Sequence, residues 1–239
     1  MKLEMDRPVN IVIIGAGGTG GYVIPHLYRI AYASERDIRI VIADGDTVEK
    51  KNLIRQNFAG NDVGKNKANV MAARYSGVFG SETEYVPEYI EDEERLRELL
   101  SMKTGSGDLE PIGILIGAVD NNRSRIMCNN VFNTMDNLIY IDSGNGEFTG
   151  QVVCGAKRYG RVVSKPAARI YPDILKDIEK FPSELSCAEH SISAPQSIAA
   201  NVMASAAIVS MLYYLLIEGN LQNMRVAFSA RKNLMKKIA

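Results

Sequence analysis

Apolar and polar positions alternate in blocks along this chain, and each block carries a recognisable period. Val9 to Ile14 is a β-branched-rich run, apolar but for Asn10, the pattern of a central parallel strand covered on both faces. From Gly20 to Ala33, Val23, Ile24, Leu27, Ile30 and Ala31 recur at helical spacing, with Pro25 tolerated in or near the first turn. A second strand is expected over Ile38–Ala43, a helix over Lys65–Gly77, a short strand over Glu82–Val86 and a charged surface helix over Glu91–Leu100. Gly105–Pro111 reads as a loop, followed by the apolar strand Ile112–Ile116 and a helix over Arg125–Met135. Leu138–Asp142 and Gly150–Gly155 are two more strands, joined through SGNGEF; the glycines flanking Asn145 indicate a tight turn, so this pairing should be antiparallel or near a sheet edge. Gly155–Leu185 has weak periodicity and three prolines and reads as a long surface excursion. A helix over Ala194–Glu218, ending at Gly219 and Asn220, and a strand over Met224–Ser229 complete the pattern.

Strands alternating with helices define an α/β protein: a Rossmann-like, mostly parallel sheet with helices on both faces and antiparallel strands toward the C-terminal half. A length of 239 residues suits one domain over 1–239, with a crossover-type loop at about 156–190. Lys plus Arg equals Asp plus Glu at 28 each, which gives no basic nucleic-acid surface and no polybasic membrane anchor. Any anion site must therefore be local. Cys128, Cys154 and Cys187 are far apart, with no CxxC pair to build a zinc site or disulfide framework. MKLEMDRPVN leads straight into the first strand without the apolar core of a signal peptide, so a cytoplasmic location is expected. Val202–Ile217 falls short of the roughly 20 apolar residues of a membrane span and reads as a buried helix.

The candidate chemistry begins at VNIVIIGAGGTGG. A strand entering Gly15, Gly17 and Gly20 can turn tightly, bring backbone N–H groups to a phosphate and pack a helix closely, the helix N-terminus adding positive potential. Asp44, ending the second strand, is placed to accept from ribose hydroxyls. A plain strand-to-helix turn and an NAD-dependent oxidoreductase would share these features. Asn52, Arg55 and Gln56 after Asp44-Gly45-Asp46, and then Lys67, are more specific. Arginine forms bidentate bonds to phosphate oxygens, and lysine supplies charge where a bridging oxygen becomes negative during nucleotidyl transfer. Asp120, just beyond the strand Ile112–Ile116, falls on the edge where open α/β sheets bind ligands; it either helps hold magnesium or caps the next helix.

GAGGTG, DGDTVEKKNLIRQ, DVGKNKA at Asp62–Ala68 and VDNNRSR at Val119–Arg125, in that order, resemble the motifs of the ThiF, MoeB and HesA family of adenylyltransferases, which are related to ubiquitin-activating enzymes. With SGNGEFTGQVVCG and SCAEHSISAPQSIAAN, the chain is most similar to the ThiF-type members of PRTRC gene systems, which also encode a ubiquitin-like protein, a conjugating-enzyme-like protein and a JAB-type peptidase. The resemblance implies that the C-terminal carboxylate of a ubiquitin-like protein attacks the α-phosphate of ATP, giving an acyl-adenylate and pyrophosphate. It implies a nucleotide site of Gly15, Gly17, Gly18, Gly20, Asp44, Asp46, Asn52, Arg55, Gln56 and Lys67, with Asp120 positioning magnesium and Arg125 supporting the loop around Asp120. A homodimer, with the helix from Ala194 to Ile217 as either its contact or the central core element, and a conjugating-enzyme-like partner belong to the same expectation.

Cys187 matches the cysteine that some members use for a thioester or persulfide-type link. A helix N-terminus would lower its pKa, Ser186 and Ala188 leave it open, and His190 could serve as a base; the alternative is a buried packing thiol. Cys128 and Cys154 read as packing residues. The family's N-terminal arm, with its arginine, has no counterpart in MKLEMDRPVN, and Arg7 is not expected to replace it. Adenylation of a small molecule or a tRNA base, and a catalytically idle scaffold, are the competing functions.

Overall fold

The computed structural model describes residues 1–80, 83–103, 109–176, 179–184 and 196–238. Nine strands form one sheet in the order β3-β2-β1-β4-β5-β6-β8-β9, with β7 paired to β6. The strands β1 (Val9–Ile14), β2 (Ile38–Ala43), β3 (Glu84–Val86), β4 (Ile112–Gly117) and β5 (Leu138–Asn145) run parallel. β6 (Thr149–Arg158), β7 (Arg161–Ser164), β8 (Arg225–Ser229) and β9 (Leu234–Lys237) continue it antiparallel, as the tight turn at Asn145 led us to expect.

Alternation along β1 sorts the two faces. Val9, Ile11 and Ile13 point into a core shared with helices α1 (Gly20–Ser34), α2 (Lys67–Phe79) and, after the short α5 (Ala167–Ile170), α6 (Ile198–Leu216). Val12 and Ile14 point to the other face, under α3 (Glu93–Ser101) and α4 (Asn122–Thr134). Helices thus cover both faces and leave the C-terminal edge of the parallel strands for the loops, where ligands bind in such folds. Helix α6 is the one helix among the described residues long and apolar enough to cross a membrane, by length and composition only. Its Ala200, Ala204 and Ala207 are buried, and these small side chains let it pack closely against α1.

One stretch differs from the sequence expectation, and β9 lies where no strand was expected. The excursion expected from Gly155 begins instead as a hairpin: β6 runs on to Arg158, and Tyr159 (φ 48°) and Gly160 (φ 73°) turn it directly into β7. Two consecutive left-handed residues make the kind of two-residue turn whose twist suits antiparallel strands. The tyrosine in the first left-handed position hid that signal. Pro25 lies near the first turn, as expected, at the sixth residue of α1, where a proline removes the N–H that would bond to the carbonyl of Gly21. Asn57 Nδ2 donates to that carbonyl at 3.0 Å and compensates the loss from outside the helix.

Candidate functional site

The turn from β1 into α1 is held by backbone crowding. Gly15 has φ +93°, and a Cβ at Gly20 would lie 1.8 Å from the Gly15 carbonyl oxygen, so no larger residue fits without displacing the loop. The loop is then fastened to β2 by the side chain of Asp44, whose Oδ2 accepts from Ala16 N–H (2.7 Å) while Oδ1 accepts from Asp46 N–H (2.8 Å). Asp44 is buried, and burial pushes its pKa up to about 6; Lys67 pulls it back and the neighbouring Asp46 adds to the rise.

Around Asp44 the structure gathers most of the residues singled out from sequence. Lys67, 5 % exposed at the start of α2, forms an ion pair with Asp46 at 2.6 Å. Asn66 caps α2 by accepting from Asn69 N–H and donates from Nδ2 to the Asp44 carbonyl at 2.8 Å, tying the 44–46 turn to the helix that carries Lys67. Tyr89 completes this corner by donating its hydroxyl to Asp46. Burial, Asp46, Asp44 and Asp120 all push the Tyr89 hydroxyl above its usual range, which puts Asp120 in the same electrostatic neighbourhood. Sequence reasoning missed Asn66 and Tyr89; an Asn directly before an alanine-rich helix was a readable cap signal, whereas Tyr89 carried none.

Asn52 is buried and accepts from Glu49 N–H at 2.8 Å, closing the 3-10 turn Lys50–Ile54 that presents Arg55 and Gln56 to the glycine loop. Gln56 and Arg55 face the loop, so that a Cβ at Gly17 would lie 3.5 Å from Gln56 Nε2 and one at Gly18 would lie 2.8 Å from Arg55 Nη1, which also donates to Gln196 Oε1 (3.2 Å). Asp120 is exposed and sits between β4 and α4, whose N-cap is Asn121 rather than Asp120. Arg125 braces that loop: Nη2 donates to Val119 O (2.6 Å) and Ser143 O (3.1 Å), and Nε lies 3.4 Å from Asp142. Glu179 accepts from Asn122 N–H at 2.5 Å, and Ser183 bonds Glu91, so the segment 179–184 lies over the same end of α4. Cys187 and His190 lie outside the described residues. Burial pushes the Cys128 and Cys154 thiols up to about 12, as packing residues require. Arg7 is bonded to Glu110 O at 2.6 and 2.9 Å, before the start of β4, at the opposite edge of the sheet from the glycine loop.

A glycine-loop helix at the C-terminal edge of a parallel sheet, with an acidic residue ending β2, defines a Rossmann-like α/β protein of the nucleotide-binding class. The ThiF family profile matches residues 4–239, and the chain belongs to the ThiF family. Among solved structures it is similar to E. coli MccB (18% identity, TM-score 0.66, covering 96% of this chain and 62% of that one). It is also similar to PaaA (17% identity, TM-score 0.64, covering 96% and 63%). A structure of E. coli MccB with ATP aligns with TM-score 0.63 at 17% identity, covering 96% of this chain and 62% of that one. The chain therefore spans less than two thirds of the length of these structures. A search of curated proteins finds no match.

Proposed function

We propose that the protein is an ATP-dependent adenylyltransferase that activates the C-terminal carboxylate of a protein or peptide, and that its substrate is a ubiquitin-like protein. The observation that carries this reading is the joining of Asp44, Asp46, Lys67, Tyr89 and the glycine loop into one corner, with Arg55 on the loop's other flank, in a ThiF-family chain. The glycine loop and the positive N-terminal end of α1 suit the triphosphate, and Asp44 has lone pairs left for the ribose hydroxyls. A carboxylate oxygen attacks the α-phosphorus, the bond to the bridging oxygen breaks, and pyrophosphate leaves. Arg55 and Lys67 offset the charge that gathers on it. The step also asks Lys67 to exchange Asp46 for phosphate oxygens.

Among the described residues no group of three or more His, Cys, Asp or Glu could hold a metal on its own. Magnesium brought in on the nucleotide needs only one or two carboxylates beside the phosphates, and Asp120, exposed between β4 and α4, is the candidate. When bound, magnesium would neutralise phosphate charge. MccB has been solved with MccA, and a carboxyl-terminal peptide or protein is the substrate class we carry over to this chain. The same reading has Cys187 accept the activated acyl group as a thioester for a conjugating-enzyme-like partner. It also takes the chain as one adenylation unit acting in the cytoplasm, and as a homodimer through the exposed Ile198, Val202 and Tyr213 of α6.

The test is ATP–pyrophosphate exchange with magnesium and a ubiquitin-fold protein bearing a free C-terminal glycine. Exchange should depend on that protein and fall about a hundredfold or more in Arg55→Ala, Lys67→Ala and Asp120→Ala. A hydroxylamine-sensitive adduct should form in the wild type and disappear in Cys187→Ala. Absence of exchange under every condition would end the adenylation reading.

A further inference from the structure

Among the described residues, seven buried side-chain polar atoms have no hydrogen-bond partner, and four of them surround the glycine loop: Gln56 Oε1, Asn145 Oδ1, Asn201 Nδ2 and Asn201 Oδ1. Leaving such atoms unpaired in a native interior costs about 1–3 kcal/mol each, so a cluster of them is a site prepared for something else. The three side chains come from β5, α6 and the segment after the 3-10 turn, and face three consecutive loop residues. Gln56 faces Gly17, where a Cβ would lie 3.5 Å from its Nε2 and 3.7 Å from its Oε1. Asn201, 0 % exposed in the first turn of α6, packs so closely on Gly18 that a Cβ there would lie 2.4 Å from its Nδ2. Asn145, at the end of β5, donates from Nδ2 to Thr19 Oγ1 at 2.7 Å and leaves its oxygen unpaired.

Three of the four unpaired atoms are carboxamide oxygens. Phosphate and carboxylate are acceptors only and cannot satisfy them; a group bearing N–H can. On the adenylation reading, the nucleoside lies elsewhere and does not supply that N–H. Asp44 draws the ribose toward β2, on one side of β1, whereas β4 and β5 lie on the other, and Asn145 ends β5. The seat is therefore on the side of the loop away from the adenosine, where an acyl group meets the α-phosphate. Arg55 guards it, held by a single bond to the neutral Gln196. The phosphate group of a bound adenylate, or the sulfamate that replaces it, forms a stronger, charge-assisted bond to a guanidinium and would draw Arg55 off Gln196, uncovering Asn201.

We propose that Asn201, with Asn145 and Gln56, is a main-chain reader that accepts the amide N–H of the substrate's C-terminal residue, and so restricts adenylation to peptide-like carboxylates. This rests on the adenylation reading above and adds the basis on which simple carboxylic acids and other small acids without an amide are refused.

The experiment measures binding of three non-hydrolysable acyl-adenylate analogues to the full chain by calorimetry. They are acetyl-, N-acetylglycyl- and N-acetylsarcosyl-sulfamoyladenosine; the second adds one peptide N–H, and the third carries that same amide methylated. Wild type should prefer the glycyl over the sarcosyl analogue by about tenfold, with the acetyl analogue close to the sarcosyl one. Asn201→Ala should reduce the glycyl-to-sarcosyl ratio toward one, and Asn145→Ala should reduce it in part. Each variant serves as its own reference, so a general loss of stability does not imitate the effect. A ratio of one in wild type, as expected if the seat holds only structural water, overturns the proposal, as does a ratio unchanged by Asn201→Ala. If all three bind equally, adenylation stands and amide reading falls. If none binds, the adenylation reading falls first and this inference with it.

Discussion

Asp44 ties the site to pH in a way that can be worked through. Both its oxygens accept backbone N–H groups, so the ionised form holds the glycine loop and the 44–46 turn together. Burial nonetheless raises its pKa from 3.8 to about 6. A folded-state value above the unfolded one means that the folded protein binds the proton more tightly. The stability this contributes is complete below about pH 4 and is lost as pH rises through 6, a difference of about 3 kcal/mol. Nucleotide binding runs the opposite way, because a ribose hydroxyl needs the carboxylate as acceptor. With half the groups protonated at pH 6 and about nine-tenths at pH 5, ATP should bind about tenfold more weakly at pH 5 than at pH 8. Calorimetric titration of wild type and Asp44→Asn across this range is the assay, since the ratio of their affinities cancels the titration of ATP itself. Chemical denaturation at the same pH values should show wild-type stability falling toward pH 8, and a flatter profile in Asp44→Asn. An affinity ratio that stays constant from pH 5 to pH 8 would refute the assignment of Asp44 to the nucleotide.

Two further predictions follow from the glycine loop and the helix behind it. Gly20→Ala places a Cβ 1.8 Å from a backbone oxygen, and because that atom cannot swing aside, ATP binding should be lost together with at least about 4 kcal/mol of stability, measured by calorimetry and urea denaturation. Asn57→Ala should cost about 1–2 kcal/mol by leaving the Gly21 carbonyl unpaired; in a Pro25→Ala background, where the helix supplies its own N–H, the cost should fall below half of that in a double-mutant cycle.

The strand-loop-helix unit, the second strand and the cluster from Asn52 to Lys67 were legible because each is encoded by adjacent residues with a strong period or a dense polar run. Only the trajectory of the chain could reveal the rest. Tyr89 follows a three-residue, largely exposed strand, and its meeting with Asp46 depends on β3 pairing with β2. Asn201 carried no signal of its own in the sequence; its role depends on α6 packing against α1 and reaching the glycine loop at Gly18. Lys67 and Arg55 were identified as cations, but composition could not say that Asp46 and Gln196 already hold them. The β6–β7 hairpin was missed because Tyr159 occupies a turn position that a glycine or asparagine would have marked.

The glycine loop is made within the first tenth of the chain, yet it is lined by Asn201 and guarded through Gln196, more than 170 residues later. Contacts of such sequence separation form late and slowly. On the ribosome, a nascent chain would carry an intact phosphate loop long before α6 emerged to line it, and could hold nucleotide without a complete seat for an acyl group. Such an order of assembly would keep unfinished chains from releasing reactive adenylates, so the appearance of adenylation activity during refolding should mark the docking of the last core helix.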